Sequence, residues 1–103
     1  MVNEDNAVQP ENEKIDTLTG RYMITGNPCT TRPCLPGVAY AILVNDEHYF
    51  ITLNGHWFSE NRSWEGYTPE PGNMVTVAGS AEEKIDIYGK PFHTIEAVSV
   101  YPA

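Results

Sequence analysis

Apolar and polar residues alternate along much of this chain with the period of two that a pleated β-strand imposes. The clearest case begins at Met74, where Val75 and Val77 share one face, and Met74, Thr76 and Ala78 share the other. The pattern predicts a β-strand with one buried face.

Turn-forming residues bound this strand on both sides. Pro71-Gly72-Asn73 combines the fixed φ of proline with residues that tolerate positive φ, which predicts a chain reversal just before Met74. Gly79 stands inside the strand pattern, where a glycine typically marks a bulge, a bend or the close approach of another backbone. We therefore expect a corner of a small barrel at Gly79.

The same alternation, punctuated by glycine, proline and acidic turn residues, predicts four more strands. The first should bend at Gly20, because it is long enough to join both halves of a barrel. In the last strand Ile95 and Ala97 share one face while Val98 and Val100 share the other, which predicts a bulge or a strand end covered on both faces. The four strands are residues 17–25, 38–44, 48–53 and 92–101.

The second half of the chain resembles the second half of an OB-fold, a five-stranded Greek-key barrel. It is most similar to small uncharacterised bacterial domains of this kind. The resemblance rests on a glycine-bounded strand, a polar hairpin and a final strand, which are Gly72-x-Met74-Val75-x-Val77-x-Gly79, Asp86-Ile87-Tyr88-Gly89-Lys90-Pro91 and His93-Thr94-Ile95-Glu96-Ala97.

The resemblance covers residues 18–101 and implies an all-β fold, a small five-stranded barrel that is closed or partly open. It also implies a single domain over residues 18–103, with a short helical turn near residues 59–64, between the third and fourth strands. OB-folds commonly bind oligonucleotides or oligosaccharides, so the resemblance favours a binding function.

The acidic charge of the chain limits the ligands it can bind. The chain contains fourteen acidic residues and six lysines and arginines, so its formal net charge is −8. Five of the acids and one lysine precede residue 20, and we expect the polar leader, residues 1–17, to be disordered. The barrel keeps nine acids and five bases, too few cations for the basic stripe that a phosphate backbone requires. Nucleic-acid binding is therefore disfavoured.

The loop of residues 27–37 contains both cysteines of the chain, Cys29 and Cys34, with three prolines and a glycine. These residues disfavour both helix and ladder strand. A local disulfide would stiffen the loop and stabilise so small a domain by about 2 kcal/mol. Such bonds persist outside the cytosol, which favours a periplasmic, secreted or surface-anchored location.

Two other interpretations of the cysteine pair stay open. Two thiolates would form a metal site with His48, His56 or His93, although the second cysteine pair of a typical zinc site is missing. The same cysteine spacing also occurs in some thiol peroxidases, which would make Cys29 and Cys34 a redox pair, although no thioredoxin-like helix pattern is predicted.

The N-terminus lacks the basic-then-apolar pattern of a signal peptide, and no apolar run is long enough to cross a membrane. We expect residues 2–5 to be a solvated tether that follows a removed signal or lipid-anchor segment.

Aromatic and polar residues supply the candidate ligand site. Phe50 points outward in the third predicted strand, between the cysteine loop with Arg32 and the hairpin with Tyr88. In the long connection after that strand, Trp57 and Trp64 either fill the barrel mouth or serve as stacking platforms for sugar rings.

The sequence contains no recognisable catalytic motif, since it has no phosphate loop, nucleophile elbow or metalloprotease motif. We expect a monomeric, non-enzymatic binding or structural module without a cofactor, whose ligand is a saccharide, a small molecule or a protein. The alternative is a thiol-redox or metal-binding protein that uses Cys29 and Cys34.

Overall fold

The computed structural model describes residues 15–103, and these residues form one sheet of six strands and contain no helix. The all-β prediction is confirmed. Most of the expected leader, residues 1–14, lies outside the described residues. The strands are β1 Asp16–Gly26, β2 Val38–Val44, β3 Glu47–Leu53, β4 His56–Trp57, β5 Met74–Ile85 and β6 Pro91–Pro102.

The five long strands close into a ring. Around the ring the order is β1, β2, β3, β6, β5 and back to β1, and β4 is added beside β3. Strands β3 and β6 run parallel, whereas the other neighbours are antiparallel. The run β5-β1-β2-β3 is a Greek key, because β5 returns to lie beside the first of three consecutive strands. The ring is uneven, since β5 and β6 pair from Val75 to Ile85 but β2 and β3 only from Ala41 to Val44.

Strand β1 belongs to both halves of the ring, as expected from its length. It pairs with β5 along residues 16–21 and with β2 along residues 21–26. The change of partner lies next to Gly20, where a Cβ atom would overlap the carbonyl oxygen of Leu43. Glycine is therefore required where β1 passes this close to β2.

A β-bulge interrupts β6 opposite Gly79. The register shifts between Ala78 and Gly79, and Val98 of β6 is left without a partner. Val98 is 70% exposed, and the extra residue lets both Ala97 and Val100 face the core. A Cβ atom on Gly79 would overlap a backbone oxygen of β6. The predicted bulge and the predicted close approach at Gly79 are both confirmed.

The main hydrophobic core fills the interior of the ring. Val75 and Val77 are fully buried on the face that the alternation predicts. The other inward-facing members of the core come from each of the remaining long strands, and they include Tyr22, Tyr40, Ile42, Ile51, Ile95 and Val100.

The long connection between β4 and β5 closes one end of the ring with aromatic side chains. Phe58, Trp64 and Tyr67 pack against the core, and the ring centroids of Phe58 and Trp64 are 6.1 Å apart. The Tyr22 hydroxyl donates a hydrogen bond of 2.5 Å to Asn61 Oδ1 and so ties the connection to β1. Burial raises the pKa of the Tyr22 phenol. Of the two alternatives for Trp64, filling the barrel mouth is the one that the structure supports, and Phe58 and Tyr67 pack there with it.

The prediction of a helical turn near residues 59–64 is wrong. Trp64 and Tyr67 form an isolated antiparallel bridge around a turn in which Glu65 and Gly66 have positive φ. Residues 59–63 belong to neither a helix nor a strand, and positive φ at Glu65 and Gly66 is incompatible with a right-handed helix that continues past Trp64. The amide of Trp64 instead donates to the Tyr67 carbonyl at 2.7 Å, and the amide of Tyr67 donates to the Trp64 carbonyl at 3.1 Å.

Candidate binding groove on the outer face

Phe50 has the outward orientation predicted for it, but it is only 8% exposed. The ring centroids of Trp57 and Phe92 lie 6.4 Å and 6.1 Å from that of Phe50. With Ala39 and Ala41, these three aromatic residues form a second hydrophobic cluster outside the ring, which we call the outer cluster. The expectation of an exposed aromatic at Phe50 is therefore wrong, because β4 and β6 each bring an aromatic side chain over it.

Trp64 is only 9% exposed and belongs to the closed end of the ring, so the prediction of a sugar platform there is wrong. The neighbouring amide of Asn61 is also engaged in the fold, because its Nδ2 donates to the Pro69 carbonyl at 2.7 Å. Trp57, by contrast, is only half-buried. Of the two tryptophans, Trp57 alone retains the surface that a stacking platform needs.

Trp57 lines a groove of 620 Å³ on the outside of the ring, which we call the outer groove. The groove crosses four neighbouring strands, and one row of cross-strand neighbours consists of Trp57 on β4, Thr52 on β3, Glu96 on β6 and Ser80 on β5. Since neighbouring strands are about 4.8 Å apart, this row spans about 14 Å. The volume lies in the range of small-molecule sites.

Hydroxyl groups and aromatic rings share the floor of the outer groove. Thr94 stands between Phe92 and Glu96 on the outward face of β6 and is 3% exposed, while Thr52 of the adjacent β3 is 4% exposed. Phe92 and Trp57 are half-buried at the groove and also pack against Phe50 underneath. The groove therefore presents apolar ring surface and hydrogen-bonding groups side by side.

The turn between β3 and β4 holds Glu96 as a carboxylate. The carboxylate accepts hydrogen bonds from Thr52 Oγ1 at 2.7 Å, from the Gly55 amide at 2.9 Å and from the Asn54 amide at 2.5 Å. Partial burial raises the pKa of the Glu96 carboxyl, but these hydrogen bonds and the nearby His56 outweigh burial and hold the pKa below its usual range. Glu96 is therefore ionised at neutral pH and fixes the turn that carries β4.

The outer groove has a small negative charge. Glu82 and Lys84 of β5 form an ion pair of 2.9 Å, with each side chain about half exposed. The groove therefore contains two carboxylates, those of Glu82 and Glu96, and one lysine. This balance disfavours polyanionic ligands and is compatible with neutral ones.

The cysteine loop borders the outer groove. The sulfur atoms of Cys29 and Cys34 lie at disulfide-bonding distance, with Cα atoms 5.2 Å apart. The Ile87 amide donates to the Cys29 carbonyl at 3.0 Å, and the Tyr88 hydroxyl donates to Cys34 Sγ at 3.5 Å. These contacts dock the loop on the hairpin between β5 and β6, and Thr30 of the loop lines the groove.

The structure brings together only some of the predicted ligand residues. Trp57 lines the outer groove, whereas Arg32 is exposed on the cysteine loop, Tyr88 is 65% exposed on the hairpin, and neither lines the groove. The groove residues that sequence reasoning missed come mainly from β5 and β6. The signal was the alternation itself, since outward positions of a strand share one face. The missed residues of β5 and β6 are Ser80, Glu82, Lys84, Phe92, Thr94 and Glu96, and Thr52 of β3 lies beside them.

Neither a metal site nor a membrane-spanning helix is found in residues 15–103. No three histidine, cysteine or acidic side chains among these residues are grouped so that they could hold a metal ion. None of these residues belongs to a helix that could cross a bilayer.

Comparison of the chain with protein-family models, with curated proteins and with solved structures finds no match.

Proposed function

We propose that this chain is a non-enzymatic, extracytoplasmic binding module with an OB-fold-like barrel, and that its outer groove binds a short neutral saccharide. The observation that carries the proposal is one groove in which the half-buried rings of Trp57 and Phe92 adjoin the hydroxyls of Thr52 and Thr94 and the carboxylate of Glu96.

The chemistry of a sugar ring matches this surface. The C–H faces of a pyranose are apolar and pack on aromatic rings, here Trp57 and Phe92. Its hydroxyls need donors and acceptors at the ring edge, and Ser80, Thr94 and Glu96 supply them along the same groove. Burial of both kinds of surface in one site gives orientation as well as affinity.

The position of the groove supports the OB-fold comparison. In OB-folds, ligands lie on the face of the second and third strands, between the loop after the first strand and the hairpin of the last two strands. The outer groove includes Thr52 of β3, Thr30 of the loop after β1, and Lys84 and Phe92 of the β5–β6 hairpin. The match is one of location, since ligand chemistry follows from the side chains.

Charge and the cysteine pair support the other parts of the proposal. The net charge of −8 disfavours nucleic acid as a ligand. The disulfide between Cys29 and Cys34 is typical of proteins outside the cytosol, which favours a periplasmic, secreted or surface-anchored module.

A glycan array followed by titration in solution tests the proposed function. We expect at least one neutral oligosaccharide to bind and to shift the NMR signals of the Trp57 indole and the Thr94 amide. Trp57→Ala should abolish that binding, because it removes the stacking surface.

Tyr101→Ala is the matched control, because Tyr101 is an aromatic residue that is 44% exposed outside the groove. This variant should bind as the wild type does. Silence of the whole array, or binding that Trp57→Ala leaves intact, contradicts the proposal.

A further inference from the structure

A second cavity, which we call the end cavity, lies between the β4–β5 connection and the bulged part of β6. Its volume is 280 Å³. Its walls include Leu53, Arg62, Trp64, Val98 and Val100, none of which lines the outer groove. The two cavities are therefore separate sites.

Arg62 brings a cation to the end cavity. Its guanidinium carbon lies 5.1 Å from the ring centroid of Trp64 and 5.9 Å from that of Phe58. Among residues 15–103, no acidic side chain lies within ion-pair distance of Arg62. Stacking on aromatic rings restricts the plane of a guanidinium and leaves its N–H edge free to bind an anion. The planar fork of that edge matches a carboxylate in particular.

Much of the remaining wall is aliphatic. The bulge turns Val98 outward, and this side chain is 70% exposed. Leu53 is half-buried beside it in the cavity wall, and Val100 is buried. An apolar group bound here would remove exposed aliphatic surface from water, which is favourable in proportion to the area covered.

The indole of Trp64 forms part of the wall of the end cavity. Its side chain is 9% exposed, and among residues 15–103 its indole N–H is the buried side-chain polar group that lacks a hydrogen-bond partner. Buried indole N–H groups usually have an acceptor.

From these features we propose that the end cavity binds an aliphatic monocarboxylate. The carboxylate pairs with Arg62, and the aliphatic part packs against Val98 and Leu53. Because Glu65 also lines the cavity, the site holds one cation and one anion and disfavours ligands with two negative charges, such as phosphate. The same chemistry is presented by a free short-chain acid and by the C-terminal carboxylate of a peptide that ends in an aliphatic residue.

NMR titration of the full chain tests the proposal. The two tryptophans of the chain give two indole N–H signals, so each cavity has its own reporter. The probes are isovalerate, N-acetylvaline and, as the uncharged match, N-acetylvalinamide. We expect both acids to shift the Trp64 indole and Val98 amide signals and to leave the Trp57 indole unchanged, while the amide has little effect.

Arg62→Gln should weaken binding of the acids about tenfold, which corresponds to the loss of one charge-assisted pair. Lys90→Gln removes the same charge from the distant hairpin and should bind as the wild type does. Equal affinity for isovalerate and N-acetylvaline identifies a free acid as the ligand, and tighter binding of N-acetylvaline identifies a peptide terminus.

Absence of any shift with the acids, equal shifts with the amide, or full affinity in a folded Arg62→Gln variant overturns the proposal. Saccharide binding is monitored by the Trp57 indole signal and carboxylate binding by the Trp64 indole signal. Failure of one proposal is therefore visible independently of the other.

Discussion

The main core and the outer cluster are both hydrophobic, but they are sealed from water in different ways. Ile51 and Ile95 lie inside the ring and are fully buried. Phe50, the neighbour of Ile51 on β3, lies on the solvent side, and it is covered by the side chains of Trp57 and Phe92. The core is enclosed by the ring of strands, whereas the outer cluster is covered only by side chains.

This difference bears on the ligand site that we propose. Side chains change rotamer far more readily than a hydrogen-bonded ring of strands opens. Trp57 and Phe92 are therefore able to adjust to a ligand in the outer groove while the ring stays closed. The outer cluster should also contribute less to stability than the core does.

The largest expected effect compares the two neighbours on β3. Ile51→Ala should lower the free energy of unfolding by about 4 kcal/mol, because the cavity it leaves is enclosed by the ring. Phe50→Ala removes a larger side chain but should cost only about 2 kcal/mol, because Trp57 and Phe92 can close over the space. Urea denaturation of both variants measures the difference. An equal or larger cost for Phe50→Ala would remove the distinction between core and cluster.

A smaller loss is expected where β5 passes close to β6. Gly79→Ala should cost about 3 kcal/mol, because its Cβ atom would overlap the Glu96 carbonyl and force the backbone apart. Gly26→Ala is the matched control, since no atom lies within 4 Å of its Cβ position. That variant should stay within about 0.5 kcal/mol of the wild type. Similar stability of the two variants in urea would show that the bulge region can relax.

The smallest expected effect concerns the turn beneath the outer groove and depends on pH. The Glu96 carboxyl has a lowered pKa in the folded chain, so its hydrogen bonds contribute stability above pH 4.5, the ordinary value for the group. That contribution is lost as the pH falls from 4.5 through the pKa of the folded state.

Thermal unfolding at several pH values measures this contribution. The midpoint of the wild type should fall more steeply under acid than that of Glu96→Gln, which has no carboxyl to protonate. Glu60→Gln is the control, because Glu60 is an exposed acid outside the groove. It should retain the wild-type slope, and parallel profiles for the wild type and Glu96→Gln would contradict the assignment.

Local alternation was sufficient to predict much of the fold. It placed Val75 and Val77 on a buried face, and the phase change near Val98 indicated the bulge that the structure contains. Both are properties of a single strand, and they can be read from residues a few positions apart.

The exposure of outward residues could not be predicted in the same way. Phe50 is covered by Phe92, which lies far along the chain and arrives through the parallel pairing of β3 with β6. In the sequence, Glu96 looks like an ordinary polar residue of a strand. Its role in fixing the Asn54-Gly55 turn depends on hydrogen bonds from the amides of that turn to its carboxylate. Long-range pairing of this kind leaves no periodic signal in the sequence.

The double pairing of β6, antiparallel with β5 and parallel with β3, makes this strand the closing member of the ring. A nascent polypeptide that ends at Ile85 has no partner for the β6-facing edges of β3 and β5. We therefore expect productive folding to wait until residues 91–102 have been synthesised, and pairing over such distances along the chain is slow. Proteolytic removal of β6 should accordingly collapse the whole domain instead of fraying one end.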